Sequence, residues 1–246
     1  MSLFLVTGIT RADTITLVAD EWCPFNCEPN SELPGYAVEI ATTVMGRHGH
    51  TIKYELLAWD TAIAQSREGK YNAIIGAFQG DAPDFVFPSE PIGNISGSGL
   101  FTLTSNPWKY ENIDSLKTQK LGAILAYDYG EQVGQYIKKQ RLAGNVELIS
   151  GHKPLRRNIQ KMMVGRLTVV IDAAPVFWYT AKSLGVTDKV KFVGEVEPPE
   201  GAFIAFSPTI KESESYAAIL STGIETLRKN GELAKILHKY GLQDWK

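Results

Sequence analysis

Along this chain, apolar positions switch repeatedly between short strand-like runs and spacings of three and four. The short runs, rich in β-branched and apolar residues, predict strands at 14–19, 51–57, 73–76, 98–104, 120–125, 146–150, 169–171, 190–193 and 202–206. Helices are expected between them. The segment 35–47 places Val38, Ala41, Val44 and Met45 on one side and stops at Gly49, and 59–67 behaves likewise and stops at Gly69. Further helices are expected at 130–140, 154–164, 175–184 and 215–240, the last broken at Gly223 or at the Asn230-Gly231 pair. Strands alternating with helices predict an α/β protein with largely parallel sheets.

Two places read as crossings between lobes. The first runs from Leu100 to Pro107, and the second from Glu195 to Gly201, where Pro198 and Pro199 enforce an extended chain. The resulting division is a discontinuous first lobe, 13–103 plus 200–246, and a second lobe, 104–199. A cleft between lobes is where small ligands bind. Residues 1–12 fit neither lobe and are expected to be the remnant of a secretory signal peptide or a tail, with an edge strand at 4–6 as the other reading.

Composition narrows the function classes. With 246 residues, 44% of them apolar and 21% charged, the chain can bury a core, which excludes disordered and fibrous architectures. Its 25 Lys and Arg against 27 Asp and Glu give a net charge of -2 without a basic block, which argues against nucleic-acid or anionic-membrane binding. No apolar run is long enough to span a bilayer. The two cysteines, Cys23 and Cys27, flank the turn-formers Pro24 and Asn26, so a disulfide in an oxidising compartment is expected. Two free thiols and a partial metal site are the alternatives, the latter without a second Cys or His pair to complete it. The four histidines, His48, His50, His152 and His238, are scattered, and no nucleophile elbow, phosphate loop or metal constellation is present, so no cofactor is expected.

Seven segments, in order, carry a resemblance: DEWCPFN, PGYAVEIATTVM, WDTAIAQSREGKYNAIIGA, FPSEPIG, NIDSLKTQKLGAIL, VGRLTVVIDAAP and LRKNGELAKILHKYG. Together they resemble the family 3 extracellular solute-binding proteins, the amino-acid-type receptors of ABC importers, from Thr14 to Lys246. The resemblance implies a type II periplasmic binding protein fold, two α/β lobes joined by two hinge strands. It also implies a periplasmic, monomeric receptor that closes over a small polar amino-acid-like or cationic ligand and is recognised by a membrane permease. The same fold includes cyclohexadienyl dehydratases, a lytic transglycosylase module and receptor sensing modules, which are the alternative functions.

Carried onto this sequence, the resemblance puts a ligand-stacking aromatic at Trp22, followed by Phe25, and a cluster of backbone groups at Gly76, Ala77, Phe78 and Gln79. In the second lobe it puts ligand contacts at Ala126, Tyr127, Asp128 and Tyr129, and the acceptor of a ligand amine at Asp172. Trp59, opening a helix after a strand, is a further candidate, and Glu21 is expected in the cleft. One position departs from the family. The Arg that clamps a ligand carboxylate is replaced by GDAPD, and neither Arg nor Lys occurs between Lys70 and Lys109. A guanidinium fork binds a carboxylate through two charge-assisted bonds, whereas an Asp there repels it. Asp81 and Asp84 are read as solvated loop charges, and the inferred cleft of acids and aromatics suits a cation.

Overall fold

The computed structural model of the chain describes residues 12–95, 98–196 and 200–246. The expected signal-peptide remnant or tail therefore lies outside the described residues apart from Ala12, as do Pro198 and Pro199.

The first sheet has the strand order β2-β1-β3-β10-β4, built from β1 (Thr14–Ala19), β2 (Thr51–Leu56), β3 (Ala73–Ala77), β4 (Gly93–Ile95) and β10 (Glu200–Phe206). β1 pairs in parallel with β2 and β3, and β10 runs antiparallel to β3 and β4. The central strands β1 and β3 are buried along most of their length because helices cover both faces. Helix α1 (Tyr36–Arg47) turns Ile40 and Val44 to the core beside Ile15 and Leu17, and α6 (Ser213–Lys229) adds Leu220 and Ile224. Gly223 does not break α6. A Cβ there would stand 2.2 Å from Val44, so the glycine lets α1 and α6 approach, and the break falls at Asn230-Gly231 before α7 (Glu232–Lys239).

The second sheet has the order β7-β6-β8-β5-β9, built from β5 (Ser98–Leu103), β6 (Leu121–Ile124), β7 (Val146–Ile149), β8 (Val169–Ala173) and β9 (Val190–Glu195). β6 is parallel to β7 and β8, and β5 is antiparallel to β8 and β9. Leu100, Leu121, Val169 and Ile171 form its core with Val133 and Tyr136 of α3 (Gly130–Arg141). The remaining helices are α2 (Trp59–Arg67), α4 (Pro154–Met163) and α5 (Ala174–Ser183).

The strand β5 corrects the expected first crossing. Leu100 and Phe101 are fully buried between β8 and β9, so 98–103 belongs to the second sheet rather than the first lobe. The chain passes from the first sheet to the second between Ile95 and Ser98, and returns between Val196 and Glu200. Both sheets point the C-terminal ends of their parallel strands toward one another, which is where an open α/β sheet presents its ligand site.

Candidate functional site

The first wall grows from the end of β1. After Ala19 the chain leaves the sheet at Asp20 and folds into a turn in which the Trp22 N–H donates to Asn26 O at 2.9 Å and the Phe25 N–H donates to Trp22 O at 2.9 Å. Asn26 Nδ2 donates back to Asp20 O at 2.6 Å, and Cys23 and Cys27 are joined across the turn with their Cα atoms 4.8 Å apart. Trp22 stacks on Phe25, ring centroids 4.4 Å apart, with its indole against Gly76. Gly76 has φ +88°, and it bulges out of β3 opposite the Phe203/Ile204 step of β10. A side chain there would be strained and would meet the indole at 3.0 Å.

The second wall comes from the ends of β6, β7 and β8, and among the described residues four hydrogen bonds join it to the first. The Tyr127 hydroxyl donates to Asp20 Oδ2 at 2.9 Å, and the Trp22 indole N–H donates to Asp172 Oδ1 at 3.1 Å. The Asp128 N–H donates to Asp81 Oδ1 at 2.8 Å, and the Ser150 hydroxyl donates to Asp60 Oδ1 at 2.9 Å. Every one of these bonds ends on an aspartate. Ion pairs from Lys153 to Glu21 at 3.4 Å and to Glu28 at 3.5 Å add a charged rim.

Between the walls lies a cavity of about 20 Å³, with Asp20, Asp81 and Asp128 on one side of its chemistry and Trp22, Trp59, Phe78 and Tyr127 on the other. That volume holds about one water molecule. A small organic solute would fit there only if the walls parted. An adjoining cavity of about 110 Å³ shares Asp20 as a wall and contains Glu21, His152 and Lys153.

Burial sets the charge state of the acids. It pushes the Asp20 carboxyl up to about 8, with the Tyr127 hydrogen bond opposing and the neighbouring Asp172 adding to the rise. Burial also pushes Asp81 up to about 7 against two backbone hydrogen bonds, and Asp172 up to about 7 against the Trp22 hydrogen bond. Desolvation disfavours the charged form, so these acids hold protons near neutral pH while the cleft is closed. A cation in their midst restores the charge.

Of the residues singled out from sequence, Trp22, Trp59, Gly76, Phe78, Tyr127 and Asp128 line the cavity. Asp172 stands behind Trp22, 1% exposed at the end of β8, and accepts from the Ala173 N–H just before α5 as well as from the indole. Phe25, Ala77, Gln79 and Tyr129 do not reach the cavity. Phe25 backs Trp22 and packs on Tyr36, Ala77 is buried within β3, Gln79 is an exposed turn residue, and the Tyr129 hydroxyl is tied into its own lobe by the Ile124 N–H at 2.8 Å.

Two acids line the cavity where the sequence pattern does not put them. Asp20 directly follows a fully predictable strand, which was the available signal. Asp81 is not a solvated charge: its Oδ2 accepts from the Phe78 N–H at 2.8 Å while Oδ1 bridges the lobes. Asp84, by contrast, is exposed and paired with Arg67 at 2.7 Å, as a loop charge should be. Glu21 lies at the rim rather than in the cavity.

Comparison with known proteins matches the sequence to a family. The profile described as "Bacterial extracellular solute-binding proteins, family 3" matches residues 15–243. No curated protein matches the chain. Among solved structures, an ancestral arginine-binding protein bound to arginine is 20% identical with TM-score 0.71, covering 94% of this chain and 99% of that one. A substrate-binding protein of an ABC uptake transporter from Streptococcus pneumoniae, with bound histidine, is 17% identical with TM-score 0.76, covering 94% and 93%. A histidine kinase sensor domain similar to periplasmic binding proteins is 19% identical with TM-score 0.73, covering 92% and 95%. At these identities the structural likenesses establish the fold, two α/β lobes of the type II periplasmic binding protein kind. The family match spans nearly the whole chain, and the chain belongs to the family 3 bacterial extracellular solute-binding proteins.

Proposed function

We propose that this protein is the periplasmic receptor of an ABC importer, a monomer that binds a small cationic or amino-acid-like solute between its lobes and presents the closed form to a membrane permease. Trp22, Trp59, Phe78, Tyr127, Asp81, Asp128 and Asp172 are its ligand-contacting residues, with Asp20 beside them. The observation that carries the reading is the meeting of three aspartates and four aromatic rings from both lobes at one small cavity whose walls include no Lys, Arg or His, with Asp172 bonded to Trp22 behind it. Buried acids attract a cation, and aromatic faces add cation–π stabilisation of roughly 1–2 kcal/mol. Closure follows from the same contacts, because a ligand touching both walls favours the arrangement in which the walls are near.

The test is a thermal-shift screen against amino acids, polyamines and quaternary amines. A ligand at 100 times its Kd adds about 2.7 kcal/mol of stability. The reading expects amines among the stabilising compounds; stabilisation by anions with failure of every amine contradicts it.

A second reading is favoured by the likeness to a histidine kinase sensor domain. The same ligand-driven closure would then signal rather than deliver, and ligand-dependent binding to a purified permease separates the two. The dehydratase alternative predicts product from prephenate or arogenate, whereas a receptor leaves both intact.

A further inference from the structure

The sites where a cleft of this kind could hold a ligand carboxylate are already filled by carboxylates of the protein itself. The Phe78 N–H donates to Asp81 Oδ2 and the Asp128 N–H, from the facing wall, to Asp81 Oδ1, each at 2.8 Å. At the start of α3 the Gly130 N–H donates to Asp128 Oδ1 at 2.8 Å, and at the end of β8 the Ala173 N–H donates to Asp172 Oδ1 at 2.8 Å. Four backbone donors at the ends of strands and the start of a helix thus serve aspartates, two of them on Asp81 in the cavity wall. Asp81 takes one donor from each lobe, which is the bridging role a ligand carboxylate would play.

Side chains supply no replacement. Of the two basic residues of the adjoining cavity, Lys153 is shared between Glu21 and Glu28 and His152 is exposed, while Arg67 is held by Asp84 on the exterior. What remains unpartnered is an acceptor: Asp172 Oδ2, on a side chain 1% exposed, makes no hydrogen bond, and the charge of Asp172 is felt at Asp20. The Trp59 indole N–H, in the cavity wall and 4% exposed, stands beside Asp81, and its hydrogen bonding opposes the burial that raises that carboxyl. These carboxylates are not disposed as a metal set, since no group of three or more His, Cys, Asp or Glu among the described residues could hold a metal ion. The aromatic rings of Trp22, Trp59, Phe78 and Tyr127 instead provide faces for an organic cation.

We propose that the cleft selects an organic cation without a carboxylate, an alkyl amine or guanidine, and that Asp81 is the residue that rejects the corresponding amino acid. The proposal rests on the receptor reading above and specifies its ligand class. An α-carboxylate brought to this cleft would have to displace Asp81 from its two donors or be desolvated without donors of its own, a form of selection against the wrong ligand.

The experiment compares matched pairs by calorimetry on the full chain: agmatine with arginine, cadaverine with lysine, and histamine with histidine. For the pair that binds, the decarboxylated member is expected to be tighter by at least about tenfold. In Asp81→Asn, and in Asp81→Ala as a second variant, the gap should narrow because the amino acid gains affinity. Tighter binding of the amino acid to the unmodified protein overturns the proposal and leaves the receptor reading standing. Binding of an anionic or neutral solute with none of the six compounds bound overturns both.

Discussion

Trp22 and Asp172, 150 residues apart in sequence, are joined at 3.1 Å, indole N–H to Oδ1. One end of the bond stands on a disulfide-closed turn after β1, and the other at the end of β8 in the second sheet. Both the indole and the Ala173 N–H fall on Oδ1, and Oδ2, which makes no hydrogen bond, is the atom proposed to meet the ligand. Replacing Asp172 with Ala should therefore weaken binding of the best cation by more than about tenfold, the scale of one hydrogen bond to a charged group. The melting temperature without ligand should not fall, because the lost carboxyl is itself desolvated at a cost. Titration calorimetry and scanning calorimetry read the two effects, and an unchanged affinity removes Asp172 from the site.

Gly80 sets how near the walls come. A Cβ at that position would stand 1.6 Å from Asp128 Oδ2, and Asp128 is held by its bond from the Gly130 N–H. Gly80→Ala should hold the lobes apart, raising the radius of gyration in small-angle scattering and weakening ligand binding. The double variant Gly80→Ala with Asp128→Ala should recover the compact form. A single variant as compact as the parent contradicts this account.

The raised acids make stability depend on pH with a definite sign. Asp20 is raised to about 8, and Asp81 and Asp172 to about 7, so the folded chain keeps protons that the unfolded chain releases near pH 4. Stability contributed by this cluster is greatest at acid pH, declines as pH rises through 4 to 8, and levels off above 8. Asp84 and Glu90 oppose the trend only at lower pH, since Arg67 holds the first below the usual carboxylate range, and Lys246 and Arg228 outweigh burial to do the same for the second. The melting temperature should fall from pH 5 to pH 8, and Asp20→Asn should flatten the slope. Asp20 faces Tyr127, Asp172 and Asp81, whose contributions remain in that variant. A melting temperature that rises across this window contradicts the assignment.

The Cys23–Cys27 link closes a short loop, worth about 2 kcal/mol in the chain-entropy account. Replacing both cysteines with Ser should lower the melting temperature by roughly 4–8 °C for a chain of this size. Because Trp22 stands on that loop, ligand affinity should fall as well. Loss of stability with unchanged affinity would separate the loop from the site.

The elements were legible where local chemistry decides them. β1 and α2 fall on the expected residues, since an apolar run bounded by Asp20 and a helix stopped at Gly69 need no distant information. β4, three residues beginning at Gly93, carries no pattern of its own and exists because β10 offers it an edge. β5 reads as a strand, but which sheet receives it depends on β8 and β9, far along the chain. The same limit governs the site. Trp22, Trp59 and Asp172 stand at ends of strands and starts of helices, where position alone suggests a cleft. Phe25 and Tyr129 share that position and turn inward to pack instead. Asp81 in a Gly-Asp-Ala-Pro-Asp turn looks solvated until the second lobe arrives with the Asp128 N–H.

The central claim is that a cation takes the place of protons among the desolvated aspartates. Its most direct measurement is titration calorimetry of the best-binding alkyl amine or quaternary ammonium ion at pH 7, repeated in buffers of different ionisation enthalpy. With Asp20 at about 8 and both Asp81 and Asp172 at about 7, binding should release about one proton or more per cation, and affinity should rise with pH. Binding heats independent of buffer, or proton uptake on binding, would contradict the account.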